Sequence, residues 1–320
     1  MKSTYLVTGG AGFIGSHLVD ALLKAGHSVI VLDDLSSGKR ENVATTATLV
    51  VGSVCDESLV HSLFNNNDIK GCFHLAAIPS VKKGNEDWLA THCVNLGGAI
   101  TVFDAARQAD NIHPVPIVYA SSAAVYGDNT ALPLRETAHI SPLSAYGADK
   151  YACELHARVA GYVHRVPTIG LRFFNVYGPR QDPASPYSGV ISIFMQHMQE
   201  NCPLTVYGDG QQSRDFIFVA DVVRFCMAAM KQAHIDAPVL NICRAQPVTL
   251  LELIEVMSDL FQYQPDLIFE PERQGDIKHS LGSPDKAKQM LSLEAMFSLE
   301  DGLKQLYMMS VYTQNNSFCG

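Results

Sequence analysis

Six short apolar runs restrict what this chain can become: YLVT (5–8), SVIVLD (28–33), TLVV (48–51), CFHLA (72–76), PIVYA (116–120) and PTIGLRF (167–173). As extended chain each is apolar on both faces and must be covered from both sides. The stretches between them, GFIGSHLVDALLKAG, ESLVHSLFN, WLATHCVNLGGAITVFDAARQ and YGADKYACELHARVAGYVHR, carry the apolar spacing of helices. This alternation predicts an α/β fold with a doubly wound parallel sheet. After residue 175 the rhythm changes. Proline and glycine crowd 178–189, a helix follows, turn signals fall at 208–210, and helical patterns over 219–232 and 248–261 flank a strand, VLNIC (239–243). The expected organisation is a large sheet domain over 1–174 with a return segment at about 215–243. A smaller α/β cap then covers 175–214 and 244–320.

The chain has 320 residues, 47% of them hydrophobic, enough for one large core or two modest ones. A net charge of −9 argues against a general nucleic-acid binder, which needs a broad basic face. A small anionic ligand stays open if a few arginines gather locally. Eight cysteines (55, 72, 93, 153, 202, 226, 243 and 319) show no CxxC spacing and no clustering with histidine. No metal or redox centre is expected, and buried reduced thiols are the simpler reading. The chain opens straight into a strand pattern, without a signal-peptide apolar core or a run of about 18 apolar residues. A cytoplasmic protein with no membrane partner is the expectation.

TGGAGFIG places Gly9, Gly12 and Gly15 at three-residue spacing between the first strand and a helix. Such a turn lets backbone approach a pyrophosphate while the helix N-terminus offers it free N–H groups. Alone the pattern is equally an ordinary strand–helix turn. Asp33, ending the second strand, supplies the second element: a carboxylate for the adenosine ribose hydroxyls that also repels a 2′-phosphate. Together they predict NAD as cofactor, in preference to NADP.

SAYGADK sets Tyr146 and Lys150 four positions apart, on one helix face. A free phenol, with a pKa near ~10, is a poor base at neutral pH, and a nearby ammonium and a positive nicotinamide ring both favour the phenolate. By itself the pair could simply decorate a helix surface. VYASSAAVYG adds a strand that ends in Ser121 and Ser122 at the edge where ligands of such folds bind. Serine there is otherwise a turn former. Hydroxyl, phenol and ammonium together describe a site for alcohol–ketone hydride transfer.

These glycines, with SSAAVYG, YGADK and RFFNVYGPRQ (172–181), resemble the extended short-chain dehydrogenase/reductase family from residue 4 to about 305. Within it, the chain is similar to nucleotide-sugar 4-epimerases of the UDP-glucose and UDP-N-acetylglucosamine kind. The resemblance implies Ser122, directly before AAVYG, as the active-site hydroxyl, Tyr146 as base and acid, and Lys150 as its electrostatic partner and ribose ligand. It matches Phe13 and Ile14 to the pyrophosphate loop, and Leu75, Ala76 and Ala77 to the strand edge lining the cofactor. The family usually has Gly-Asp after the third strand. Here Gly52-Ser53 is followed by Val54, so the adenine contact falls to a shorter, uncharged Ser53.

Related enzymes that dehydrate or decarboxylate the sugar carry acids just after the active-site hydroxyl. Here those positions are Ala123 and Ala124, which cannot exchange protons. The resemblance therefore implies 4-epimerisation of a UDP-sugar. It matches Arg214 and Arg273 to a diphosphate clamp, Asp276 to a ribose contact, Asn175 to the diphosphate side and Tyr207 to the uracil. Outside this context both arginines read as ordinary solvated side chains. Ser280 stands where glucose-restricted epimerases often carry a bulky aromatic, and with SPYSGVISIF (185–194) it suggests UDP-GlcNAc/UDP-GalNAc as substrates, with UDP-Glc/UDP-Gal as co-substrates. The alternatives are a UDP-glucuronate 4-epimerase, using Arg180 or Lys82, and a non-catalytic NAD-binding regulatory protein. Helices around 92–108 and 146–164 carry apolar stripes (Val94, Val102 and Phe103; Leu155 and Val159) that the family buries in a homodimer, or that simply cover the sheet.

Overall fold

The structure is a computed structural model and describes residues 2–79, 84, 86–109, 113–183, 189–272 and 277–317. The chain runs through β1 (Thr4–Thr8), α1 (Phe13–Lys24), β2 (Ser28–Asp33), β3 (Thr48–Val51), α2 (Glu57–Asn66) and β4 (Ile69–His74). Next come α3 (Trp88–His92), a π-helical turn (Cys93–Gly97), α4 (Gly98–Gln108) and β5 (Ile117–Ser122). A 3₁₀ turn (Ala123–Tyr126), α5 (Ala145–His164) and β6 (Thr168–Phe173) complete the alternating part.

These six strands and β10 (Val239–Ile242) form one parallel sheet in the order β10-β6-β5-β4-β1-β2-β3. It is covered on both faces, as its apolar strands require. One face packs under α2, α4 and α5, with Val60, Phe64, Val102, Phe103 and Ala157 in its core. The other packs under α1, α7 (Val219–Ala229) and α9 (Asp285–Leu291), through Leu18, Leu22, Val222, Phe225 and Ala287. Strand order reverses between β1 and β4, where an open α/β sheet has its ligand crevice.

The remaining elements are β7 (Asn175–Tyr177), α6 (Val190–Gln199), β8 (Leu204–Tyr207), β9 (Ser213–Phe218), β11 (Pro247–Thr249), α8 (Leu250–Phe261), β12 (Leu267–Glu270) and α10 (Leu299–Ser317). β9 pairs parallel with β7 and antiparallel with β11, and β12 pairs parallel with β8. Their core of Phe194, Val206, Phe216, Leu253 and Met257 also receives Phe13 and Ile14 from the start of α1. Asp215 on β9, fully buried, fastens this region: its carboxylate accepts the backbone N–H groups of Arg244 (2.9 Å), Ala245 (3.0 Å) and Gly282 (3.2 Å). Burial pushes its carboxyl up to about 6, against those three bonds.

Three expectations change. The helical pattern over 88–108 is interrupted by the π turn. The pattern at 248 begins as strand, because Val248 and Thr249 pair with β9 and Thr249 caps α8 in a capping box with Glu252. The apolar stripe expected at 94–103 is not a free surface: Val102 and Phe103 lie in the core and Val94 packs against it, because that face of α4 covers the sheet. On α5, Leu155 and Val159 are exposed.

Asp215→Ala leaves three backbone N–H groups, one buried and two partly buried, without an acceptor. It should cost about 3 kcal/mol or more, read as a lower urea midpoint at unchanged slope, while Asp215→Asn should cost less.

Candidate active site

The glycine turn fits a dinucleotide phosphate by its shape. Gly9 has φ +71°, and a Cβ there would lie 2.6 Å from the Ala76 amide nitrogen, so only glycine lets the turn meet the edge of β4. Gly12 is the N-cap of α1 and brings no side-chain cap, and the first turn carries no acid. The amides of Phe13, Ile14 and the buried Gly15 therefore face a ligand position without a competing anion. Asp33 holds the turn from below: its carboxylate accepts from Ala11 N and Leu35 N, both at 2.9 Å. Burial raises its pKa, and the bonds from Leu35 and Ala11 oppose that shift. Each carboxylate oxygen has a further lone pair for a ribose hydroxyl. The donor set and the cradle fit NAD.

Leu75, Ala76 and Ala77 leave β4 as a half-buried segment beside this turn, tied to β1 by Leu75 N to Thr8 O (3.1 Å) and Ala76 N to Thr8 Oγ1 (3.3 Å). Ser53 Oγ accepts from Cys55 N at 3.1 Å, so its hydroxyl already serves its own turn, and Val54 is buried against α4. Two polar residues here escaped the sequence reading. His74 is buried, shares a 2.8 Å hydrogen bond with Thr8 Oγ1, and is held at about 3 by burial and, second, by the charge of Lys150. It is therefore neutral at physiological pH. Asn95, in the π turn, accepts from Ile78 N (2.7 Å) and donates to Ile78 O (3.2 Å), fixing the segment that follows Ala77. A polar residue inside an apolar helical pattern was the available signal for Asn95.

β5 delivers Ser121 and Ser122 to the C-terminal edge. Ser121 is buried and donates to Glu154 Oε1 at 2.6 Å. Ser122 is half-buried and caps the 3₁₀ turn, accepting from Ala124 N at 3.2 Å. The start of α5 lies against this turn: a Cβ at Gly147 would sit 2.7 Å from the Ala124 carbonyl oxygen, so glycine permits the contact. Ser144 caps α5, accepting from Gly147 N at 3.1 Å, and Tyr146 follows in the first turn. Lys150 is buried with its ammonium 5.8 Å from the Tyr146 ring centroid, within reach of the ring's field. Beside it, buried Asp149 is bonded to His92 Nδ1 at 2.8 Å, joining α3 to α5. The turn that carries the Ser122 hydroxyl thus packs at the sheet edge against the start of α5, which carries the Tyr146 phenol and the buried Lys150 ammonium.

A cleft of about 320 Å³ opens between α6, β8 and β9. Tyr207 and Arg214 both line it, with Phe194, His197, Thr205 and Phe216. Arg214 donates to the carbonyls of Ser213 (2.9 Å) and Lys278 (3.3 Å). Ser280 is buried next to this strand, its N–H bonded to Ser213 O at 3.1 Å. Asn175 lies at the start of β7, pairs with Phe216 of the cleft's lining and donates to the Asp215 carbonyl at 3.4 Å. Arg273 and Asp276 lie outside the described residues. Four of the described cysteines (72, 153, 226 and 243) are buried as expected, whereas Cys55 and Cys93 are exposed on loop and helix. Among the described residues no helix is long and apolar enough to cross a membrane.

The model of the NAD dependent epimerase/dehydratase family matches residues 5–243. A putative UDP-glucose 4-epimerase of Methanocaldococcus jannaschii is 33% identical over 94% of this chain and 96% of its own. A UDP-N-acetyl-alpha-D-glucosaminuronate decarboxylase of Bacillus cytotoxicus is 31% identical over 95% and 97%. Among solved structures, a UDP-glucose 4-epimerase from Thermotoga maritima with UDP-glucose superposes with a TM-score of 0.93 at 34% identity, covering 97% of this chain and 99% of that one. A UDP-N-acetylglucosamine 4-epimerase from Methanobrevibacter ruminantium gives 0.91 at 32%, over 98% and 100%. A UDP-glucuronic acid 4-epimerase from Bacillus cereus, with UDP-glucuronic acid and NAD, gives 0.87 at 28%, over 97% and 100%. With fold, glycine turn and sheet edge in agreement, this chain belongs to the NAD dependent epimerase/dehydratase family and is an NAD-dependent enzyme of the epimerase class.

Proposed function

We infer that the protein is a 4-epimerase of UDP-hexoses that interconverts UDP-GlcNAc and UDP-GalNAc, with UDP-Glc and UDP-Gal as co-substrates. The observation that carries this reading is the turn after Ser122, where Ala123 and Ala124 present methyl groups in place of acids. Elimination and decarboxylation need proton exchange beyond C4, and this turn offers no group for it. Ser280, small and buried beside the Arg214 strand, supports room for a 2-N-acetyl group.

In this reading Tyr146 accepts the proton of the 4-hydroxyl and later returns it, and Ser122 hydrogen-bonds the same oxygen. Lys150, buried with its ammonium near the Tyr146 ring, is assigned as the electrostatic partner of the phenol and as a ribose ligand. Gly9, Gly12, Phe13, Ile14, Gly15 and Asp33 would hold NAD, which would supply the hydride acceptor and donor. The 4-keto sugar turns about its diphosphate linkage between the two transfers, presenting its opposite face. For that rotation the nucleotide must stay fixed, and Tyr207, Arg214 and Arg273 are assigned to hold it, with Asp276 and Asn175 at the ribose and diphosphate.

The UDP-glucuronate alternative needs an extra cation or an array of hydroxyls for the C6 carboxylate. Arg180 is already paired with Asp20 on α1 at 2.7 Å, which weighs against it in that role, and Lys82 lies outside the described residues. The domain division belongs to the same proposal: 1–174 with a return at 215–243 holds NAD, and 175–214 with 244–320 closes over the sugar nucleotide. It draws support from β10, which rejoins the large sheet, although β9 pairs within the small one. A cytoplasmic homodimer completes the reading. Its surface is the exposed apolar face of Trp88, Leu89 and Ile100 with Leu155, Val159 and Tyr162, the last 87% exposed.

Purified protein with NAD should invert C4 of UDP-GlcNAc, followed by NMR. No inversion of UDP-GlcNAc, UDP-Glc or UDP-GlcA would refute the reading, and inversion of UDP-GlcA alone would select the alternative. Tyr146→Phe should keep NAD bound yet lose about 10²-fold or more in kcat, and near-normal turnover would remove it as base. Light scattering should give twice the monomer mass for the native chain and the monomer mass for Leu155→Glu/Val159→Glu.

A further inference from the structure

Behind the edge that carries Ser122 and Tyr146 runs a continuous chain of buried polar groups that the proposed chemistry does not touch. It begins at Ser121, whose hydroxyl donates to Glu154 Oε1 (2.6 Å). Glu154 is held by both arms of Arg172, Nε to Oε1 at 2.8 Å and NH2 to Oε2 at 2.6 Å, with both side chains 4% exposed. The third arm, NH1, donates to the Tyr126 hydroxyl at 2.7 Å and to the Glu136 carbonyl at 3.3 Å. Tyr126 donates onward to Asn241 Oδ1 (2.6 Å), and Asn241 donates to the Leu134 carbonyl (2.8 Å) while its N–H reaches Glu136 Oε1 (2.7 Å). The donor directions are consistent along the whole chain. Burial pushes the Tyr126 phenol up to about 12, so it keeps the proton this direction requires.

The attachment points are what give the chain a meaning. Ser121 is the residue before Ser122. Glu154 lies four residues beyond Lys150, which lies four beyond Tyr146, so all three share one face of α5. Tyr126 ends the 3₁₀ turn that Ser122 caps. Both protein segments that bring groups to the 4-hydroxyl are therefore bolted to one buried ion pair, one at β5 and its turn, the other at α5. A buried pair of this kind is a weak source of net stability compared with apolar packing, but its bidentate geometry fixes relative position.

We propose that Ser121, Glu154, Arg172, Tyr126 and Asn241 form a positioning network that sets the Ser122 hydroxyl at its working distance from Tyr146 and Lys150. The proposal rests on the epimerase reading for its kinetic consequence and on geometry alone for its structural one. All five are buried, and they act through Ser122 and Tyr146. Removing Glu154 or Arg172 alone strands a buried charge and endangers folding, so the informative variants are Ser121→Ala and Tyr126→Phe, which leave the ion pair intact.

The test combines a kinetic cycle with amide hydrogen exchange on the full-length protein. Ser121→Ala should lower kcat about tenfold and leave KM for the sugar nucleotide within about twofold of native. Placed in a Ser122→Ala background, the same substitution should change kcat by less than about twofold, because the hydroxyl it positions is gone. Independently of any substrate, Ser121→Ala and Tyr126→Phe should each speed exchange about tenfold in peptides covering 122–127, with the central strands β1 and β4 unchanged. A kcat equal to native, or a loss of the same factor in both backgrounds, would overturn the proposal, as would unchanged exchange at 122–127. If the native protein inverts no UDP-hexose, the epimerase reading fails, and the exchange measurement alone decides the network.

Discussion

All seven strands of the large sheet run parallel, and that single constraint organises the rest of the molecule. A parallel strand must return by a crossover, so every strand ends on the same edge and every helix begins there. The glycine turn, the 75–77 segment, the Ser122 turn and the start of α5 share this edge for that reason. The order reversal between β1 and β4 opens it into a crevice. Sequence-distant groups converge there without any local instruction to do so.

What the edge holds is unevenly charged. Lys150 is a buried cation beside a phenol, and the nearest buried imidazole, His74, is kept neutral by burial and by that cation. The carboxylates near the site are committed elsewhere: Asp33 to the glycine turn, Asp149 to His92, Glu154 to Arg172 and Ser121. With Ala123 and Ala124 in the adjoining turn, the proposed role of Tyr146 as the group that exchanges a proton at the sugar's 4-oxygen meets no competing acid there. An acid in that turn would open other chemistry, which is how one fold serves several reactions on nucleotide sugars.

Local requirements were legible in the sequence. Gly9 must be glycine because of its own φ and its approach to Ala76, and the 146/150 spacing needs only a helix. Strand periods placed β2, β3 and β6 within a residue. Features that depend on which elements become neighbours were not legible. Asn95 matters through Ile78, His74 through Thr8, and Ser121 through Glu154, contacts that span 17, 66 and 33 positions in sequence. The stripe at Val102 and Phe103 had two readings for the same reason: periodicity shows that a face is apolar, not whether sheet or partner covers it, and here the sheet does. Ser121 and Ser122 look alike in the sequence, and only the packing of α5 shows that one hydroxyl is consumed in the interior while the other stays at the edge.

The central claim is that the hydrogen at C4 of the sugar leaves and returns within one closed site. The direct measurement starts from UDP-GlcNAc carrying deuterium at C4 and follows the UDP-GalNAc formed in ordinary water. The account predicts that the deuterium is retained at C4 of the inverted product. Loss of the label to solvent, with inversion still complete, would contradict it.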